Sequence, residues 1–108
     1  MASPKKGIDL SLVIPIYNQE KFIEPTTRAY VNAFEKSPLV RSFEIILVSN
    51  NCTDNTPHVC ARLAKKYAKI KHFDYPLKIL KGGAVIRGFQ HARFPFLGFT
   101  DVDMATAP

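Results

Sequence analysis

The stretch FEIILVSNNCTDNTP, residues 43–57, decides the architecture. Phe43 to Val48 is a short, nearly continuous apolar run, the pattern of a buried strand in a parallel sheet. Ser49-Asn50-Asn51-Cys52-Thr53 is polar and turn-forming. Pro57 suits the first position of a helix, with Asp54, Asn55 or Thr56 as its cap. Val59, Leu63 and Tyr67 then recur every four residues, with Cys60 and Ala64 beside them, which predicts an amphipathic helix of about three turns.

The same unit repeats on either side. Upstream, Leu10 to Ile16 (LSLVIPI) reads as a buried strand, with Pro15 marking its end or an irregularity. Residues 1–9 read as a polar tail, and Tyr17-Asn18-Gln19-Glu20 as the loop after the strand. A helix follows from Glu24 to Lys36. Pro25 lies in its first turn, Ala29, Tyr30, Ala33 and Phe34 form its apolar face, and Ser37-Pro38 stops it. Downstream, Ile70 to Asp74 reads as a third strand. Lys81-Gly82-Gly83-Ala84 opens a third helix through Ala92, and FLGFT within Phe94 to Thr100 is a fourth strand. Phe43, Phe73, Phe94, Phe96 and Phe99 read as core.

Strands alternating with helices of this length predict an α/β fold with a parallel sheet. Ligands of such sheets bind beyond the carboxyl ends of the strands. Those ends carry Tyr17-Asn18, Ser49-Asn50-Asn51 and Asp101-Val102-Asp103, so the topology predicts that the three clusters share one rim. A fourth strand ending at residue 100 leaves a sheet edge open, and residues 10–108 read as the first part of a larger domain, truncated after that strand.

The 108 residues suit one domain, and 46% of them are hydrophobic. Fifteen Lys and Arg against nine Asp and Glu give a formal charge of +6. Lys5-Lys6 and Lys65, Lys66, Lys69 and Lys71 carry much of the excess, as a surface for an anionic partner or as a solvated helix face. No RNA-binding motif accompanies them, so no nucleic-acid partner is expected. Cys52 and Cys60 match no zinc spacing. No apolar run is long enough to span a bilayer, and the N-terminus lacks the apolar region of a signal peptide. These features predict a cytoplasmic chain, membrane-associated at most through a C-terminal part beyond it.

Asp101 and Asp103 stand one residue apart, so on extended backbone both carboxylates point to one side. Such a pair suits Mg2+ or Mn2+, hard cations held by one or two carboxylates together with substrate phosphates. Lys81-Gly82-Gly83 either lets a helix N-terminus approach an anion or is simply a tight loop. Arg87 is a second cationic contact or an exposed residue. Asn50, Asn51 and Asp54 contact a ligand or form turns and a cap, and Glu20 contacts a base or ribose or is a solvated acid. His58, His72 and His91 have no metal-ligand spacing. No histidine neighbours Cys52 in sequence, which argues against a cysteine nucleophile.

Four segments resemble the family 2 glycosyltransferases of the GT-A fold, whose sheet is Rossmann-like. They are LSLVIPIYNQEKFI, FEIILVSNNCTDNT, KGGAVIRGFQHAR and FLGFTDVDMATAP, in the family's order, from about Leu10 to Pro108. The last is most similar to polyprenyl-phosphate sugar transferases. The resemblance implies a nucleoside-diphosphate sugar donor, a UDP- or GDP-sugar, and a polyprenyl phosphate or another acceptor. It implies that Pro15, Tyr17, Asn18, Glu20, Ser49 and Asn50 line the nucleoside side, and that Lys81, Gly82 and Arg87 serve the phosphates. It gives Asp101 and Asp103 the catalytic role, with Asp101 at the ribose and diphosphate and Asp103 on the metal. Ser49 and Asn50 stand where the family has paired acids, which leaves uracil and guanine both open. Lys78-Ile79-Leu80 replaces the family's Asn-x-Gly. The acceptor side of the family lies beyond Asp103, so the isolated chain is expected to be inactive or to act as a non-catalytic nucleotide-binding partner.

Overall fold

The computed structural model describes residues 6–79 and 81–102, with Lys81 described by its backbone alone. Four strands and three helices alternate: β1 (Ile8–Ile16), α1 (Ile23–Lys36), β2 (Val40–Asn50), α2 (Thr56–Lys66), β3 (Ile70–Tyr75), α3 (Lys81–Gln90) and β4 (Phe96–Phe99). The strands form one sheet in the order β3-β2-β1-β4, and every pairing is parallel. The strand order turns back at β1, because β2 and β3 lie on one side of it and β4 on the other. Ligands of open α/β sheets bind at such a switch point.

The sheet is covered on both faces. Leu12, Ile14, Phe43, Ile45 and Leu47 pack with Ile23 and Val31 of α1 and with Val59, Cys60 and Leu63 of α2. Val13, Ile46 and Val48 pack with Ala84 of α3, joined by the half-buried Phe73 and Phe89. Two covered faces explain the nearly continuous apolar run of β2, because neither parity of side chains there meets water.

Four sequence-based expectations shift. The polar tail ends earlier than residue 9: Ile8 and Asp9 belong to β1. The Ile8 N–H donates to the Leu39 carbonyl at 2.8 Å, and Arg41 pairs with Asp9, its Nε donating to Oδ1 at 2.9 Å. Pro15 does not interrupt β1. The Thr100 N–H donates to the Val13 carbonyl, so Val13 and Pro15, two residues on, both turn their backbone toward the β4 side. The β4 ladder stops at Val13, leaving no bond there for a missing N–H to break.

The buried face of α1 is rotated from the expected one. Ile23, Thr26, Thr27 and Val31 are buried, with Tyr30 and Phe34 partly so, while Ala29 and Ala33 are exposed. A methyl group contributes little burial energy, and the larger branched side chains set the orientation. Phe96 and Phe99 are not core. They are 53% and 57% exposed because β4 is an edge strand among the described residues, although the Phe99 ring still meets Phe89 edge-on.

Glu44 is a buried carboxylate, 4% exposed, within the otherwise apolar stretch Phe43–Val48 of β2. Its Oε2 accepts the Ser11 hydroxyl at 2.6 Å and the Arg93 N–H at 2.5 Å, and the Lys71 ammonium lies 2.7 Å from Oε1. The Phe94 N–H donates to Ser11 Oγ at 3.1 Å, so the cluster pins the α3–β4 connection to the sheet. Burial works to raise the Glu44 pKa, but Lys71, Ser11 and the Arg93 N–H together hold it below the ordinary glutamate value. A depressed folded pKa means stability that is present above the unfolded value and lost as pH falls through the folded one. Glu44→Gln should therefore cost about 1 kcal/mol at neutral pH and cost less on acidification below about pH 4. Thermal unfolding of both proteins across that range checks this, and parallel acid limbs would refute it.

Candidate functional site

A cleft of about 610 Å³ opens beyond the carboxyl ends of β1, β2 and β4. Its apolar surface comes from Pro15, Ile16, Ile79, Ala84 and Val102, and its polar groups are Tyr17, Gln19, Asn50, Asn51, Lys78 and Asp101. The predicted convergence of the three polar clusters on one rim is met by Tyr17, by Asn50 with Asn51, and by Asp101. Val102 is 7% exposed and belongs to the larger core cluster, which anchors the segment carrying Asp101. The Tyr30 hydroxyl of α1 and Thr100 Oγ1 are 3.1 Å apart, a second tether just before Asp101. Asp103 lies outside the described residues.

The loops after β1 and β2 are joined to each other. Asn18 and Asn51 both adopt the left-handed backbone region, with φ of 47° and 54°. Asparagine is among the few side chains that enter that region readily. Asn18 Oδ1 accepts the Thr53 N–H at 2.8 Å and the Asp54 N–H at 3.3 Å, and its Nδ2 donates to Thr53 Oγ1 at 3.1 Å. The Gln19 N–H donates to Thr56 Oγ1 at 2.9 Å, and the Glu20 N–H to Asp54 Oδ2 at 3.4 Å. Asp54 Oδ1 also accepts the Thr56 N–H at 2.9 Å, an Asx turn leading into α2. The cap position itself falls on Asn55, whose side chain makes no capping bond, so Asp54 is not the cap. Partial burial works to raise the Asp54 pKa, but these donors hold it below the ordinary aspartate value.

Alternation along β2 separates the two adjacent candidates. Ser49 shares a side with Leu47, toward α2, and is fully buried. Its Oγ donates to Asp74 Oδ1 at 2.7 Å and sits 2.8 Å from His72 Nε2. With the hydroxyl hydrogen given to Asp74, the imidazole N–H is the donor in the second contact. Burial holds the His72 pKa below the ordinary histidine value, against the pull of Asp74. Asn50 shares a side with Val48 and faces the cleft. Its Nδ2 donates to the carbonyls of Tyr75 at 2.8 Å and Leu77 at 2.7 Å, and its Oδ1 accepts the Ile79 N–H at 3.0 Å.

Pro15, Tyr17, Asn50 and Asp101 of the expected site residues therefore line the cleft. Asn18 and Glu20 sit in the joined loops and Ser49 on the opposite side of the sheet. Gly82 is exposed in the first turn of α3, with open space where a side chain would stand. Arg87 is exposed, its guanidinium 5.7 Å from the centre of the Tyr75 ring. For Lys81 only the backbone is described, at the first position of α3. Burial pushes the Cys60 thiol up to about 12, which removes it as a nucleophile at neutral pH.

Ile16, Gln19, Lys78, Ile79, Ala84 and Val102 are not among the expected contacts. Lys78 carried one signal, a charged side chain where the resemblance breaks its pattern. Among the described residues no group of three or more His, Cys, Asp or Glu is placed to hold a metal ion. Asp101 supplies a hard oxygen donor at the rim, the ligand type Mg2+ and Mn2+ prefer. No helix among the described residues is long and apolar enough to cross a membrane.

Residues 11–108 match the family model described as Glycosyl transferase family 2. The chain is 35% identical over 105 residues to the glycosyltransferase AglD of Haloferax volcanii, covering 97% of this chain and 17% of that protein. It is 33% identical over 103 residues to the dolichyl-phosphate beta-glucosyltransferase ALG5A of Trichomonas vaginalis, covering 93% and 32%. The chain thus spans a third or less of these relatives. Among solved structures it is similar to the mannosyltransferase PcManGT from Pyrobaculum calidifontis in complex with GDP-Man and Mn2+. The TM-score there is 0.76 at 22% identity, over 93% of this chain and 29% of that one. At that identity the likeness establishes the fold, the N-terminal region of a GT-A transferase.

Proposed function

This chain belongs to glycosyl transferase family 2, and from that premise we propose that its cleft holds the nucleoside diphosphate of a sugar donor, for transfer of the sugar to a polyprenyl phosphate. The observation that carries the reading is the meeting of the β1, β2 and β4 carboxyl ends on one cleft, with Asp101 at its rim. Pro15, Ile16 and Tyr17 offer an apolar and aromatic surface to the base. The neutral amides of Gln19 and Asn51 offer both donors and acceptors for its edge. The first turn of α3 adjoins the cleft through Ala84, and its backbone N–H groups, from Lys81 through Gly82 and Gly83, favour an anion there.

Asp101 and Asp103 would hold the Mg2+ or Mn2+, with Asp101 also near the ribose and diphosphate. When bound, the cation offsets the negative charge that grows on the departing diphosphate. The chain's own part is to fix the donor. Val102, buried in the core, and the Tyr30–Thr100 contact hold the Asp101 backbone in place. The names of the dolichyl-phosphate transferase relatives support the lipid-phosphate acceptor. A phosphate acceptor needs little help from a base, because the second pKa of a phosphomonoester is about 6.

Calorimetric titration of the full chain with UDP and with GDP, each in Mn2+ and in EDTA, tests the reading. One of the two nucleotides is expected to bind, and to bind more tightly in Mn2+. Failure of both would reject the donor cleft.

A further inference from the structure

The segment after β3 has a feature that the donor reading does not use. Residues 75–79 leave the sheet edge, return over the end of β2 and form one wall of the cleft through Lys78 and Ile79. Nothing in their sequence, YPLKI, is periodic. One side chain bonds to them at three points. Asn50, 8% exposed, donates both amide hydrogens to the carbonyls of Tyr75 and Leu77 and accepts the Ile79 N–H. These bonds bracket Lys78 on both sides. The Asn51 N–H adds a fourth bond, to the Tyr75 carbonyl at 3.0 Å. Among the described residues Lys78 is the only basic side chain lining the cleft. Asn50 has spent both its donors on protein carbonyls, so it has none left for a bound base.

We propose that Lys78 contacts the diphosphate of the bound nucleotide and that Asn50 is the positioning residue that holds it there. The assignment rests on the donor-cleft reading above. It requires an amide at position 50. A carboxylate has no hydrogens for the Tyr75 and Leu77 carbonyls and would repel both, while an ammonium on a flexible stem needs a fixed backbone to keep its charge at the phosphates.

The test compares Lys78→Met, Lys78→Arg, Asn50→Asp and the Lys78→Met/Asn50→Asp double variant with the parent chain. The probes are UDP and GDP and the matching nucleosides, uridine and guanosine, in Mn2+. Lys78→Met should weaken the diphosphate that binds by about tenfold and leave its nucleoside unchanged, since a single charge-assisted contact is lost. Lys78→Arg should restore most of the loss. Asn50→Asp should reproduce the Lys78→Met pattern, and the double variant should be no weaker than either single one. If aspartate unfolds the chain, Asn50→Ser, which keeps one donor, should show a partial loss of the same kind. Full diphosphate affinity in Lys78→Met overturns the assignment while the donor cleft stands. Additive losses, or an Asn50 variant that loses nucleoside as much as diphosphate, overturn the positioning role. A parent chain that binds neither nucleotide overturns the donor cleft and this assignment together.

Discussion

Replacing Asp101 and Asp103 together by alanine is expected to lower nucleotide affinity in Mn2+ by about 100-fold, to the value measured in EDTA. The physical basis is the charge balance in the cleft. A nucleoside diphosphate brings two to three negative charges toward a rim that already carries the Asp101 carboxylate. That approach is repulsive unless a cation lies between, and on the proposed reading the two carboxylates are that cation's protein ligands. Affinity in EDTA should be unchanged or slightly higher, because repulsion goes with the carboxylates. The variant should still fold, since Val102 keeps its place in the core. Undiminished affinity in Mn2+ would show that the metal, if used, is held elsewhere. Asp101→Ala alone isolates the share carried by the described residue.

The second large effect concerns the helix behind the cleft. Gly88→Ala is expected to destabilise the chain by about 2 kcal/mol, although alanine is the better helix former. A methyl group at position 88 would overlap Val13 Cγ1 and lie 2.8 Å from Cγ2. Val13 is fully buried in β1, between β2 and β4, and has nowhere to go. The helix must therefore lift from the sheet. Ala84, one turn before Gly88, lines the cleft, so the same substitution should weaken nucleotide binding as well. Chemical unfolding gives the stability change. A Gly88→Ala chain as stable as the parent would mean that α3 tolerates a wider spacing. Gly82→Ala is the internal control: its methyl meets nothing within 4 Å, so only the helix-propensity gain should appear.

Much of this protein was legible as pattern. The apolar runs at 10–16 and 43–48, the four-residue recurrence at Val59, Leu63 and Tyr67, and the polar residues after each strand lead to a parallel sheet with its ligand rim at the carboxyl ends. All of that depends on backbone chemistry and on burial, which act locally. The same pattern was mute where side chains choose a face. β2 is apolar on both sides because α1 and α2 cover one face and α3 the other, so its composition does not say which of two neighbours turns toward the cleft. Ser49 and Asn50 are equally polar and adjacent. Register and helix placement send Ser49 to His72 and Asp74, and Asn50 to the cleft wall.

The exposure of Phe96 and Phe99 was hidden for a related reason. An aromatic strand residue is core only if another layer covers it, and β4 lies at the sheet's edge among the described residues. The Asn18 side chain and the Glu20 backbone N–H also join the two loops, which the sequence does not reveal. Their bonds to Thr53 and Asp54 span more than thirty residues of sequence. The amino-acid order thus determined the elements, their parallel sheet and the place of the cleft, through local propensity and hydrophobic burial. Which polar groups enter the cleft and which brace it was decided in three dimensions, because each such hydrogen bond joins two strands or loops that meet only after the sheet has formed.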